Sequence, residues 1–225
     1  MKYMIHSCNK RLWYVKEYLI PSMIKEGIPE EDIILWNDDD GIGNLKSWVK
    51  SCEYVRDNLP MYDITWHMQD DVIICKNFKE RTQNPPPNDL TCGFRCKNFN
   101  SVSYNKIGKK PLKNFLWGLQ CVSIPNYLIN HFLIWFYSYV VRDGHNAKRY
   151  SENKYDDYFF LRFLQLNHPF TQCYNLEWSL VDHIDYLLGG TSIENQFHHS
   201  NVNRAVKFDN NDAVEKLQKE LELRK

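Results

Sequence analysis

No apolar run in these 225 residues is long enough to cross a bilayer, which takes about 18–20 residues. The longest, "YLINHFLIWFYSYVV" (127–141), is interrupted by Asn130, His131 and Ser138 and reads as a buried helix. The opening "MKYMIHSCNKR" has no long apolar core of a secretory signal. These absences lead to the expectation of a cytoplasmic protein without a membrane partner. A charge excess is missing too: 28 Lys and Arg balance 28 Asp and Glu, so a polyanion would have to be met by local patches. There is no G-x-x-x-x-G-K-[ST] phosphate loop, no internal repeat and no linker-like stretch. A P-loop enzyme and a repeat array are thereby excluded, and a single domain over 1–225 is expected. The seven cysteines (Cys8, Cys52, Cys75, Cys92, Cys96, Cys121 and Cys173) are odd in number and scattered, which fits reduced thiols. Cys92 and Cys96 stand close, but no second close pair completes a zinc site.

Alternating and helical periodicities are present in a regular order at the start of the chain. "KYMIH" (2–6) reads as a strand. Residues 11–26 carry Leu12, Val15, Leu19, Met23 and Ile24 at near-helical spacing, with Pro21 kinking or breaking the helix. "DIILW" (32–36) is a second strand. Residues 44–59 form a second helix, with Leu45, Trp48, Val49, Cys52, Val55 and Leu59 on one face, and "DITWHM" (63–68) is a third strand. This order argues for an α/β fold with a mostly parallel central sheet flanked by helices. Beyond the stiff loop "QNPPPND" (83–89), shorter strands are expected over 90–124 and helices over 125–142 and 155–165. A loop-rich stretch then covers 175–208, and a C-terminal helix follows over 210–225 with Asn211 or Asp212 as its N-cap.

Ligands of open α/β sheets bind beyond the carboxyl ends of the strands. Three polar segments fall there: "HSCNKR" (6–11), "NDDDGIGN" (37–44) and "QDD" (69–71). His6 and Arg11 come from the first, and Asp38, Gly43 and Asn44 from the second. Gly43 would permit close backbone approach, and Asn44 at a helix N-terminus would favour an anionic group. Asp70 and Asp71 end an apolar run inside "WHMQDDVIIC" (66–75), where two adjacent carboxylates are costly unless a positive partner meets them. A divalent cation, Mn2+ or Mg2+, combined with substrate phosphates is the simplest such partner.

With these segments in this order, the chain resembles the nucleotide-sugar half of a GT-A-fold glycosyltransferase, in which an acidic D-x-D motif closes a strand and holds a metal on a nucleotide diphosphate. Gln69-Asp70-Asp71 is a degenerate version, with Gln in place of the first acid. The resemblance implies that Asp71 binds the metal and that Asp70 faces the ribose or also reaches the metal. It continues through "FLWGLQCVSIP" (115–125), where Trp117 and Gly118 would hold sugar. "KYDDYFFLRFL" (154–164) supplies a catalytic base from Asp156 or Asp157, and "SLVDHID" (179–185) supplies His183 as a late metal ligand. The implied halves are 1–80 for the nucleotide sugar and 90–208 for acceptor and catalysis. The likeness is strongest to small phage-encoded glycosyltransferases, some of which glycosylate modified bases in DNA; such a protein would work in the host cytoplasm. The basic stretches "NKIGKKPLK" (105–113) and "RDGHNAKRY" (142–150) would then meet DNA phosphates through Lys109, Lys110, Lys113, Arg142 and Arg149.

The expected activity is metal-dependent transfer of a sugar from a nucleotide-diphosphate sugar, such as a UDP-sugar, to an acceptor hydroxyl such as a 5-hydroxymethylpyrimidine in DNA. A glycan or protein acceptor, a metal-dependent nucleotidyltransferase and a non-catalytic nucleic-acid binder are the alternatives. Inverting and retaining outcomes both stay open at this point.

Overall fold

The computed structural model describes residues 1–94, 108–111, 119–154, 156–188, 205 and 207–224. The strands are β1 (Lys2–Cys8), β2 (Ile33–Asp38), β3 (Ile64–Gln69), β4 (Val72–Ile74), β5 (Leu90–Cys92), β6 (Gly108–Pro111), β7 (Cys121–Pro125), β8 (Gln172–Asn175) and β9 (Val181–His183). Seven form a central sheet in the order β2-β1-β3-β7-β5-β8-β6, and β4 and β9 make a separate two-stranded ladder. The first three strands are mutually parallel, as expected. β7 runs against β3 and β5, β8 runs parallel to β5, and β6 runs against β8. Five of the seven strands therefore share one direction.

Helices cover both faces. The first helical run comprises α1 (Leu12–Tyr14), a π-helical stretch (Val15–Leu19) and α2 (Ile20–Lys25). Pro21 neither breaks it nor sits in an α interior. The π stretch comes just before it and leaves Pro21 in the first turn of α2, where a missing N–H costs nothing. α3 (Asn44–Asn58) and α5 (Asn126–Trp135), which runs on as a π-helical stretch (Phe136–Arg142), lie where the periodicity predicts. α7 (Asp156–Asn167) and α8 (Asn211–Leu223) do too. The N-cap of α8 is Asn210, not Asn211 or Asp212: its side chain turns away to donate to the Ile74 carbonyl at 2.9 Å and so ties α8 to β4. The short α4 (Phe78–Thr82), α6 (Ala147–Glu152) and β9 are additions; three to six residues carry too little period to register in a sequence.

Alternation along β1 splits the core in two. Met4 faces a cluster with Trp48, Cys52, Phe132, Phe160 and Phe163 from α3, α5 and α7. Tyr3 and Ile5 face the other cluster, with Val15, Met23, Trp66, Val181 and Leu217. The chain thus leaves β1 toward one face and β2 toward the other, and the carboxyl ends of two such strands are the usual ligand position in sheets of this kind. Among the described residues no helix is long and apolar enough to cross a membrane. Six cysteines, Cys8, Cys52, Cys75, Cys92, Cys121 and Cys173, are free thiols, in line with expectation.

Phe132 is the hub of the first cluster. Its ring lies 4.9 Å from Trp48, 5.5 Å from Phe160 and 5.7 Å from Phe163. Phe132→Ala is expected to cost about 3–5 kcal/mol of unfolding free energy, measured by urea denaturation, because several rings lose their common partner at once.

Candidate functional site

The positive partner of the acidic pair is Arg11. The sharp exit of the chain from β1 brings Arg11 back over the strand end, its N–H bonded to the Cys8 carbonyl at 2.9 Å. Its Nη1 donates to Asp70 Oδ1 at 2.8 Å and also to Asp71 Oδ2. All three side chains are buried: Arg11 is 5%, Asp70 6% and Asp71 3% exposed. The Cys8 N–H adds a bond to Asp70 Oδ2 at 3.2 Å. Behind Asp71 stands His183 on β9, with Nε2 at 3.3 Å from Asp71 Oδ2 and Nδ1 at 3.6 Å from Asp185 Oδ1. The β4–β9 ladder, with Val72 opposite His183, holds this geometry, and Ile184 N–H donates to the Asp71 carbonyl at 2.8 Å.

The two carboxyls respond differently to one guanidinium. Burial and the neighbouring Asp71 charge raise Asp70 to about 6 against the pull of Arg11. Burial also pushes Asp71 up, but His183 and Arg11 together outweigh it and hold the carboxylate well below its ordinary range. For His183 burial acts downward, and the Asp71 contact outweighs it, so the imidazole titrates above its ordinary value. Arg11 is held firmly charged.

These contacts bear on the metal expectation. Among the described residues no three His, Cys, Asp or Glu side chains converge on a point that could hold a metal ion. Asp71 and His183 are brought together as the resemblance implied, but they face each other, and the guanidinium stands where the cation was expected. In this arrangement the residues do not fit a resident Mn2+ or Mg2+.

The second part of the edge lies at the end of β2, which the pairing of Cys8 with Asp38 sets beside the end of β1. Here several expectations are revised. Asp38 is not free for a ligand: its two carboxylate oxygens accept the N–H groups of Ile42 and Gly43 at 2.9 and 3.0 Å and shape the loop. The N-terminus of α3 is not open to an anion either. Asn153, between α6 and α7, caps it from outside. Its carbonyl accepts from Leu45 N–H at 3.3 Å, its Oδ1 accepts from Lys46 N–H at 2.9 Å, and its Nδ2 donates to the Ile42 carbonyl. Gly43 has φ +90°, and a Cβ there would collide with the Asn153 side-chain amide. Asn44 turns instead to Asp156, donating through Nδ2 to Oδ1 at 3.0 Å.

Asp156 is buried, and burial followed by the Asp157 charge pushes its carboxyl up to about 7. Asp157 is half-buried and its Oδ1 accepts the Tyr158 N–H at 2.7 Å. The adjacent acids therefore differ in environment, as their divergence on a helix predicts. His6 lies within β1 rather than at the edge. Its Nε2 is 3.0 Å from His67 Nδ1, the rings are stacked, and burial drives His6 down to about 3. Arg142 is paired with Asp143 at 2.8 Å, and Arg149 stacks over the Tyr158 ring at 4.0 Å. Lys109 and Lys110 fall on the edge strand β6. Lys113, Trp117 and Gly118 lie outside the described residues.

Three further contributors emerge from the contacts. Asn153 and Asn9 are lone polar residues in turns, with no periodicity to distinguish them. Asn9 links the ends of β1 and β2 by donating to the Asp39 carbonyl at 3.1 Å and accepting from Asn37 at 2.6 Å. Asp185 carried a usable signal: in "DHID" it is two residues from His183, the spacing of one strand face.

No family model and no curated protein matches the chain. Among solved structures, the galactosyltransferase LgtC, crystallised with donor and acceptor sugar analogs, is similar over 73% of this chain and 70% of that chain, with 11% sequence identity and a TM-score of 0.43. A likeness at that level assigns no residue a role.

Two outcomes test this geometry. Gly43→Ala is expected to destabilise the fold by about 1–3 kcal/mol in urea titration, since it combines a left-handed backbone with a collision. Asp156→Asn is expected to raise the melting temperature at pH 8 and to leave it unchanged near pH 4. The sign follows from the raised carboxyl: the folded state holds a proton that the unfolded chain has lost. Wild-type stability is thus full below about 4 and declines as pH rises through about 7.

Proposed function

We propose that this chain is a GT-A-type glycosyltransferase that moves a sugar from a nucleotide-diphosphate sugar, in its simplest form a UDP-sugar, to an acceptor hydroxyl. The observation that carries the reading is Asp156, a buried carboxyl pushed up to about 7 and oriented by Asn44 at the same sheet edge as the Arg11 cluster. A general base works best when its pKa lies near the operating pH. Asp156 in its ionised form takes the proton of the acceptor hydroxyl. The acceptor oxygen bonds to the anomeric carbon, the bond from that carbon to the phosphate oxygen breaks, and the nucleotide diphosphate leaves with the electron pair. This is the inverting form of the reaction, with an oxocarbenium-like centre as in glycoside hydrolysis.

The acceptor proposed is the hydroxyl of a 5-hydroxymethylpyrimidine in DNA. Its support is the pair Lys109 and Lys110 on edge strand β6, where phosphates could be met without crossing the sheet. Arg142 and Arg149 add little, since an acid and an aromatic ring already engage them.

The experiment is a transfer assay with a panel of nucleotide sugars and with hydroxymethylated DNA, unmodified DNA, glycans and peptides, read by mass spectrometry. Transfer to a glycan or peptide alone would remove the DNA acceptor and keep the enzyme class; nucleotidyl transfer would replace the class. Asp156→Asn is expected to lower turnover by about 10²–10⁴-fold while donor binding persists, and Asp157→Asn to change it by less than about tenfold. Turnover of the wild type is expected to rise with pH through about 7 as Asp156 ionises. Equal losses in both variants would place the base elsewhere.

A further inference from the structure

A carboxylate pair at a strand end, backed by a histidine, is a donor set that invites a divalent cation. Here that position is filled by the protein itself. One nitrogen of Arg11 bonds both Asp70 and Asp71, and the nearer oxygen of Asp71 also faces His183 Nε2 at 3.3 Å. A cation placed on that oxygen would contact a buried guanidinium and displace the imidazole, and one placed on Asp71 Oδ1, which has no hydrogen-bond partner among the described residues, would still lie beside the Arg11 charge. Asp70 cannot turn aside to compensate, because its second oxygen accepts the Cys8 N–H. The arginine has no easy exit: it is 5% exposed and held at the base of its own turn by the Cys8 carbonyl. It still has capacity to spare, for Arg11 Nε is buried without a hydrogen-bond partner among the described residues. Like charges this close repel strongly in a site from which water is excluded.

We propose that Arg11 is the built-in counter-charge of this site, so that Asp70, Asp71 and His183 form an ion-pair cluster that takes no divalent metal, and binding of the nucleotide-sugar donor does not depend on one. The second half rests on the glycosyltransferase reading above; the first half does not.

The test begins with Mn2+ alone, titrated into the full wild-type chain and followed by the electron paramagnetic resonance of free Mn2+. No saturable uptake is expected up to about 1 mM, and a stoichiometric site filled below about 0.1 mM overturns the proposal whatever the protein's substrate. The same titration on Arg11→Met, checked for folding by circular dichroism, is expected to show a new Mn2+ site that Asp71→Asn in the same background removes. A folded Arg11→Met chain that ignores Mn2+ would show that Arg11 is not what excludes it, and would overturn the proposal. If Arg11→Met does not fold, the wild-type titration decides alone. The donor arm uses calorimetry with UDP-glucose, UDP-galactose and UDP, in EDTA and in Mn2+. Affinities within about threefold of each other support the proposal, and a gain above about tenfold with Mn2+ overturns it. Absence of binding in both buffers would count against the glycosyltransferase reading and leave the Mn2+ titration to judge the cluster.

Discussion

The contact of Arg11 with Asp70 and Asp71 joins the carboxyl ends of β1 and β3, and the rest of the candidate site is arranged around it. Arg11 follows β1, the acids follow β3, and the two strands are parallel neighbours. The cluster is walled by the β4–β9 ladder through Val72 and His183 and roofed by Tyr14, whose hydroxyl donates to the Val72 carbonyl at 2.8 Å. A buried ion pair of this kind adds little net stability, since desolvation consumes most of the attraction. Removing one partner, however, leaves charge stranded in a dry site. The cluster therefore acts more as a constraint on geometry than as a source of folding energy. It ties together the chain after β1, β3 and β9 and sets a cation against both acids.

A different device governs the end of β2. There the loop is fixed by hydrogen bonds alone, with Asp38 bonding the backbone ahead of α3 and Asn153 capping the helix from the α6–α7 connection. Because the first N–H groups of α3 are satisfied internally, the helix end offers little to a phosphate. What it offers instead is a positioned side chain: Asn44 reaches Asp156 and holds it where burial raises its carboxyl. The two parts of the edge thus differ in character. One is ionic, and the other holds a buried carboxyl pushed up to about 7.

The α/β architecture and the long elements could be read from residue order because each carries several turns or alternations of one period. α3 shows its buried face in Leu45, Trp48, Cys52 and Val55, and β1 alternates Met4 against Tyr3 and Ile5. The concentration of polar segments after β1, β2 and β3 was equally readable, since it follows from strand direction. So was the selection of Arg11, Asp70, Asp71, His183 and Asp156 as residues worth following.

Their partnerships were not readable. That Arg11 rather than a metal meets the acids depends on a turn that returns the chain 59 and 60 positions away from its targets in sequence. That His6 stacks on the buried His67 depends on β1 and β3 lying side by side, and that Asn153 caps α3 depends on packing across 107 residues. Local pattern reports which face of an element is apolar, because that is set by neighbours along the chain. Which charge meets which, and which of two adjacent acids is stripped of water, is set by groups distant along the chain and adjacent only after folding. The pairing of the charges was therefore decided by tertiary structure, while the inventory of charges and the edge they occupy were already written in the order of residues.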